Sequence, residues 1–246
     1  MRPLIPKTSL AVILAFCLLA SNHTQAASET TSEAAIQVIT EYRTVDPSSR
    51  VQAWKQVITH PSGNPKFSEF QSERLRQWQK TEFAPYQLED PEIIALVTEV
   101  IRPVLELYRR QNCFKILVVN HHVPVAMNDS GVLLMVTTGL IERATSDDEI
   151  LGHVAHELGH DLFWQRTDKA RRALELYKNS MNTELLARQA KEELAKIELE
   201  CDAFSAITLA ALGRNPVFFG QYLLSVERTS LTTFQWAFRQ LPYECR

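Results

Sequence analysis

Apolar positions in this chain recur mostly at helical spacing, and two stretches break into short β-branched runs. Residues 33–43 and 49–59 predict short amphipathic helices, separated by Asp46-Pro47. His60 to Pro65 (HPSGNP) reads as a loop, and a polar helix follows over about 66–82. Asp90 caps the next helix, with Pro91 at its first position. Ile93, Ile94, Leu96, Val97, Val100 and Ile101 stripe that helix, which runs to about residue 110 with a kink expected at Pro103. Phe114–Val119 and Val132–Thr138 are the two strand-like runs, and Asn128-Asp129-Ser130-Gly131 is the turn between them. A short helix from Gly139 to about Arg143 leads to a longer one opened by Asp147 and Asp148. Ile150, Leu151, Val154, Leu158, Leu162 and Phe163 give this longer helix its apolar stripe. Everything later reads helical: roughly 168–179, 183–195, 197–212 and 216–227, with a break at Asn179 to Asn182. The whole predicts an α+β domain, mostly helical, with a small β-sheet beside the helix that begins at Asp147.

The N-terminus sets the compartment. Arg2 and Lys7 precede an apolar run, Ser9 to Ala20, too short to span a membrane comfortably, and Thr24-Gln25-Ala26 offers a small-residue cleavage site. Residues 1–26 therefore read as a secretory signal peptide, leaving 27–246 as a single domain. No second long apolar segment follows, so no stable membrane span is expected after cleavage. A net charge of -3 gives no reason to expect nucleic acid. Cys113, Cys201 and Cys245 remain in the mature chain. Cys201 falls in a helix that carries candidate ligands, so Cys113 with Cys245 is the pair expected to bridge in an oxidising compartment.

The chemistry is concentrated in His156-Glu157-Leu158-Gly159-His160. This is H-E-x-x-H on a helix: two imidazoles four residues apart share a face and can hold one metal ion, with the glutamate placed as general base. Gly159 costs about 1 kcal/mol relative to Ala in a helix interior, so something must pack closely there. A catalytic zinc site needs a third protein ligand, and no histidine follows His160. Glu198 and Glu200 flank the apolar face of their helix at similar angles, so periodicity does not choose between them. The spacing of Glu198 and Asp202 favours the former, since one carboxylate could bind metal while the other holds a ligating imidazole. His153 lies three residues before His156 on the same face and could line the cleft. His121 and His122 would point oppositely on extended chain, so at most one faces it.

Val136-Thr137-Thr138-Gly139-Leu140-Ile141, Asp147-Asp148-Glu149-Ile150 and the segment Val154 to His160 resemble the M48 family of zinc metallopeptidases. That family includes membrane-embedded CAAX prenyl peptidases and soluble periplasmic relatives. The resemblance covers about residues 90–212 and is to the latter. It implies a zincin-like (gluzincin) fold, with helical parts over 33–110 and 213–246 around a catalytic core at about 90–212. It also implies one zinc ion per chain, held by His156, His160 and Glu198. Glu198-Leu199-Glu200-Cys201-Asp202 matches the family's E-x-x-x-D, making Asp202 the partner of a ligating imidazole. Glu157 would be the catalytic base, and protein or peptide the substrate. Two departures stand out. The family's Asn-Ala-Phe-Ala type segment, which borders the substrate cleft, is Val125-Ala126-Met127-Asn128 here. The C-terminal histidine that often completes such sites is missing, leaving Arg228, Arg239, Tyr222 and Tyr243 as candidates, by type only, to stabilise the oxyanion. The expected function is a zinc-dependent endopeptidase of the periplasm acting in envelope protein quality control. Two alternatives are a non-proteolytic, chaperone-like protein that keeps the metal, and a structural zinc site closed by His153.

Overall fold

A computed structural model describes residues 46–58, 66–178 and 184–220. The leader 1–26, the expected helix 33–43, the loop 60–65, the break at 179–182 and everything beyond 220 lie outside the described residues. So do Cys245 and with it the bridge expected to Cys113, which is itself buried.

Among the described residues the main elements follow in order: α1 (Pro47–Val57), α2 (Phe67–Trp78), β1 (Gln87–Leu88), α3 (Pro91–Leu107), β2 (Lys115–Val119), β3 (Ala126–Asp129), β4 (Leu133–Thr137), α4 (Thr138–Arg143), α5 (Asp147–Leu162), α6 (Trp164–Lys178) and α7 (Glu184–Ala211). The fold is α+β, as the pattern predicts. Asp90 caps α3 by accepting from Glu92 N–H, and the helix continues through Pro103. The two helices expected over 183–195 and 197–212 are one. The sequence between them holds neither Gly nor Pro, and its Glu, Leu, Ala and Lys residues are strong helix formers. At α5 the N-cap is Ser146, while Asp147 and Asp148 lie in the first turn. Buried Glu149 reaches back to accept from Thr145 N–H and Oγ1–H at 2.8 and 2.6 Å.

The sheet order is β1-β2-β4-β3, with β2 and β4 parallel and both outer strands antiparallel to their neighbours. Side chains alternate across a strand, and here both faces are covered. Val118, Leu134 and Val136 pack with α3, α5 and α7. Leu117, Val119, Leu133 and Met135 pack with Trp78 and Phe83 on the opposite side. This explains why β4 is an unbroken apolar run rather than an alternating one. Tyr108 joins α3's end to α7: its hydroxyl pairs with Thr208 Oγ1 at 2.7 Å and its ring stacks on Phe204.

The β3–β4 turn tightens at Ser130 and Gly131, with φ of 56° and 71°, and Val132 N–H closes on Asp129 O at 3.1 Å. After β4, Thr137 caps α4 and also donates its hydroxyl to Val123 O. The chain at 121–122 crosses so close to α4 that a Cβ on Gly139 would lie 2.3 Å from His122 O. Alanine normally stabilises a helix relative to glycine, so the sign of Gly139→Ala is diagnostic. It should lower stability by about 1–3 kcal/mol, the usual range for overpacking, and reduce the melting temperature. A midpoint within about 1 °C of wild type would show that the crossing chain simply moves aside.

Candidate metal centre

Helices α5 and α7 cross at Gly159, where a Cβ would stand 3.1–3.2 Å from Cys201 Sγ, Cα and Cβ. The missing side chain lets the two backbones approach, which is the packing reason for a glycine in mid-helix. Each helix contributes an i,i+4 pair to the crossing: His156 and His160 from α5, Glu198 and Asp202 from α7.

His156 Nδ1 donates to Asp202 Oδ1 at 2.7 Å, leaving Nε2 with its lone pair. That Nε2 stands 3.3 Å from Glu198 Oε2, and His160 Nε2 stands 3.7 Å from the same oxygen. Donor atoms about 2.0–2.1 Å from one zinc ion in a tetrahedral site are separated by about 3.4 Å, so each imidazole stands from the Glu198 oxygen at close to the separation that sharing such an ion requires. The Glu198 side chain is 56% exposed, which leaves the centre open to solvent on that side. Glu200, the alternative acid, turns away to a paired contact with Arg166 on α6.

A second grouping, His156, His160 and Cys201, also brings ligand atoms within 4.8 Å of one another. Chemistry favours the carboxylate set. Cys201 Sγ lies 3.6 Å from His160 Nδ1, across the ring from the nitrogen that faces Glu198. Burial, reinforced by Glu198 and Glu157, pushes the thiol far above its ordinary range, so it is neutral. At 3.6 Å from His160 Nδ1 it is placed as a hydrogen-bond partner of that ring.

Burial works against charge on His156, but the hydrogen bonds it donates to the Asp202 and Glu198 carboxylates outweigh it and hold its proton well above the usual histidine range. Metal and proton compete for the same nitrogen. Zinc affinity should therefore fall about tenfold per pH unit as acidification protonates His156, starting above the ordinary value of about 6.5. Chelator competition across this range measures it, and a flat profile would remove His156 from the ligand set.

Glu157 faces β3. Its Oε2 accepts from Asn128 N–H at 2.9 Å. Burial raises its carboxyl above the ordinary range, opposed by His160 and His156. The His153 ring meets Phe219 edge-on at 5.4 Å. Burial and the neighbouring His156 lower its pKa to about 3, so it is neutral. The rings of His121 and His122 stack at 4.8 Å instead of pointing apart, because the chain bends there. Arg228, Arg239, Tyr222 and Tyr243 lie outside the described residues.

Three residues of the site were not legible in the sequence. Asn128 Nδ2 donates to Glu157 O and to Asp161 Oδ1, and Arg110, only 2% exposed, donates to Asp161 Oδ2 at 2.8 Å. The departure at Val125–Asn128 was the one sign that something differed there.

An H-E-x-x-H helix crossed by an E-x-x-x-D helix, beside the edge strand of a small mixed sheet, is a zincin-like arrangement. The model of peptidase family M48 matches residues 87–228, more than half of the 246-residue chain, and the chain belongs to that family of metallopeptidases. No curated protein matches it. No helix among the described residues is long and apolar enough to cross a membrane.

Proposed function

We propose that the chain is a zinc-dependent endopeptidase, with one zinc ion held by His156, His160 and Glu198, and Glu157 as catalytic base. The observation that carries this reading is the approach of His156 Nε2 and His160 Nε2 to Glu198 Oε2 beside the partly buried carboxylate of Glu157. Zinc, when bound, supplies Lewis-acid polarisation of the scissile carbonyl and makes a neighbouring water more acidic. Glu157 accepts a proton from the attacking water and returns it to the leaving amine. Its burial makes it a stronger base than a solvated glutamate. Asp202 fixes the tautomer and ring plane of His156 throughout.

The groove for the substrate lies along β3. Thr137 N–H donates to Val125 O, and antiparallel alternation then turns the main chain of Ala126 and Asn128 outward. Asn128 N–H is taken by Glu157, so Ala126 offers the outward main-chain groups an extended peptide could pair with. The substrates are proteins or peptides. Residues 1–26 fit removal as the chain enters the periplasm, where surveillance of envelope proteins is the role we assign. The test is casein proteolysis and metal content of the wild type beside Glu157→Gln.

A further inference from the structure

We propose that Asn128 is a positioning residue for Glu157, acting as an amide clip that fixes the edge strand against α5. The inference rests on Glu157 being the base, but the contact itself can be measured without activity.

Every hydrogen-bonding group of the Asn128 side chain is engaged. Nδ2 donates to Glu157 O at 3.0 Å and to Asp161 Oδ1 at 2.9 Å, while Oδ1 accepts from Gly131 N–H at 2.9 Å. One orientation of the amide satisfies all three partners, since two are acceptors and one is a donor. The clip is anchored from behind. Arg110 donates to Asp161 Oδ2 and to Gly131 O, and its guanidinium lies 5.0 Å from the centre of the Phe114 ring. A Cβ on Gly131 would lie 2.7 Å from the Arg110 guanidinium, so the turn glycine is also what admits the cation. Arg110, Asp161 and Asn128 thus join the end of α3, the last turn of α5 and the β3–β4 turn in one largely buried chain of bonds.

The outward main-chain N–H of Asn128 is what the clip aims. With the side chain bonded on three sides, strand β3 cannot slide along α5, and the N–H points at Glu157 Oε2 at 2.9 Å. The carboxylate is held between the edge strand and the histidine pair before substrate arrives, so no reorganisation is needed at the moment of proton transfer. Other side chains cannot do this. Aspartate at 128 would set a second carboxylate against Asp161 and a carbonyl, and alanine would leave Gly131 N–H and Glu157 O without this partner.

The test uses full-length Asn128→Ala and the isosteric Asn128→Asp, with kcat normalised to the folded, zinc-loaded fraction. Asn128→Ala should lower kcat about tenfold, with KM within about twofold and zinc still at one per chain. Asn128→Asp, which keeps the volume, should fall further. In parallel, the amide at position 128 should exchange with solvent at least about tenfold faster in Asn128→Ala and in Glu157→Ala than in wild type. A kcat within about twofold of wild type in both variants overturns the proposal, as does a loss that merely tracks zinc content. Unchanged amide exchange overturns it too, whatever the activity. Hydrolysis retained in Glu157→Gln would instead sink the assignment of the base and leave the exchange result standing.

Discussion

Glu157→Gln should bind one zinc per chain as the wild type does and hydrolyse casein at least about a thousandfold more slowly. The substitution preserves shape and removes the group that takes the proton. Glu157 stands outside the proposed ligand set, facing Asn128 rather than Glu198, so metal content should not move. Two measurements decide it: zinc by elemental analysis, and initial rates on a preparation free of other proteases. Residual proteolysis near the wild-type level would refute the assignment. Loss of zinc along with activity would place Glu157 among the ligands instead.

Gly159→Val should cost both stability and metal. Even the first added carbon meets Cys201 Sγ, Cα and Cβ at 3.1–3.2 Å, and Cα belongs to backbone that cannot rotate away. Valine adds two more methyl groups, so α7 must back off from α5. Overpacking of this kind costs about 1–3 kcal/mol. The larger effect is at the centre, because Glu198 and Asp202 ride on the displaced helix while His156 and His160 do not. Zinc affinity should fall at least about tenfold, the equivalent of 1.4 kcal/mol. Titration against a competing chelator measures it. Unaltered affinity would mean that the crossing does not set the ligand distances.

Both predictions concern features that the sequence displays, and the reason is local geometry. A spacing of four puts His156 with His160, and Glu198 with Asp202, on one helical face wherever the helix goes. A glycine in mid-helix announces a close neighbour without naming it. What the chain hides is whatever depends on distant partners. Ala126-Met127-Asn128-Asp129 has no β-branched residue and ends in two residues disfavoured in strands, yet it is β3, because β4 imposes the pairing. Gln87-Leu88 becomes a strand for the same reason, beside Val118 and Val119. The Arg110–Asp161–Asn128 chain joins residues 33 and 51 positions apart, and no periodicity connects them. His121 and His122 misled in the opposite direction. The backbone bends over α4 there, so the alternation of extended chain does not hold.

The shape of the sheet's margins has one more consequence. An unpaired strand edge is a template for any extended chain, including another copy of this protein. One margin is closed to that use by being only two residues long, at Gln87–Leu88. The other, β3, is four residues long and stops at Asp129, which Arg74 grips with two hydrogen bonds of 2.6 and 2.9 Å. So short an edge is a poor seed for a growing sheet.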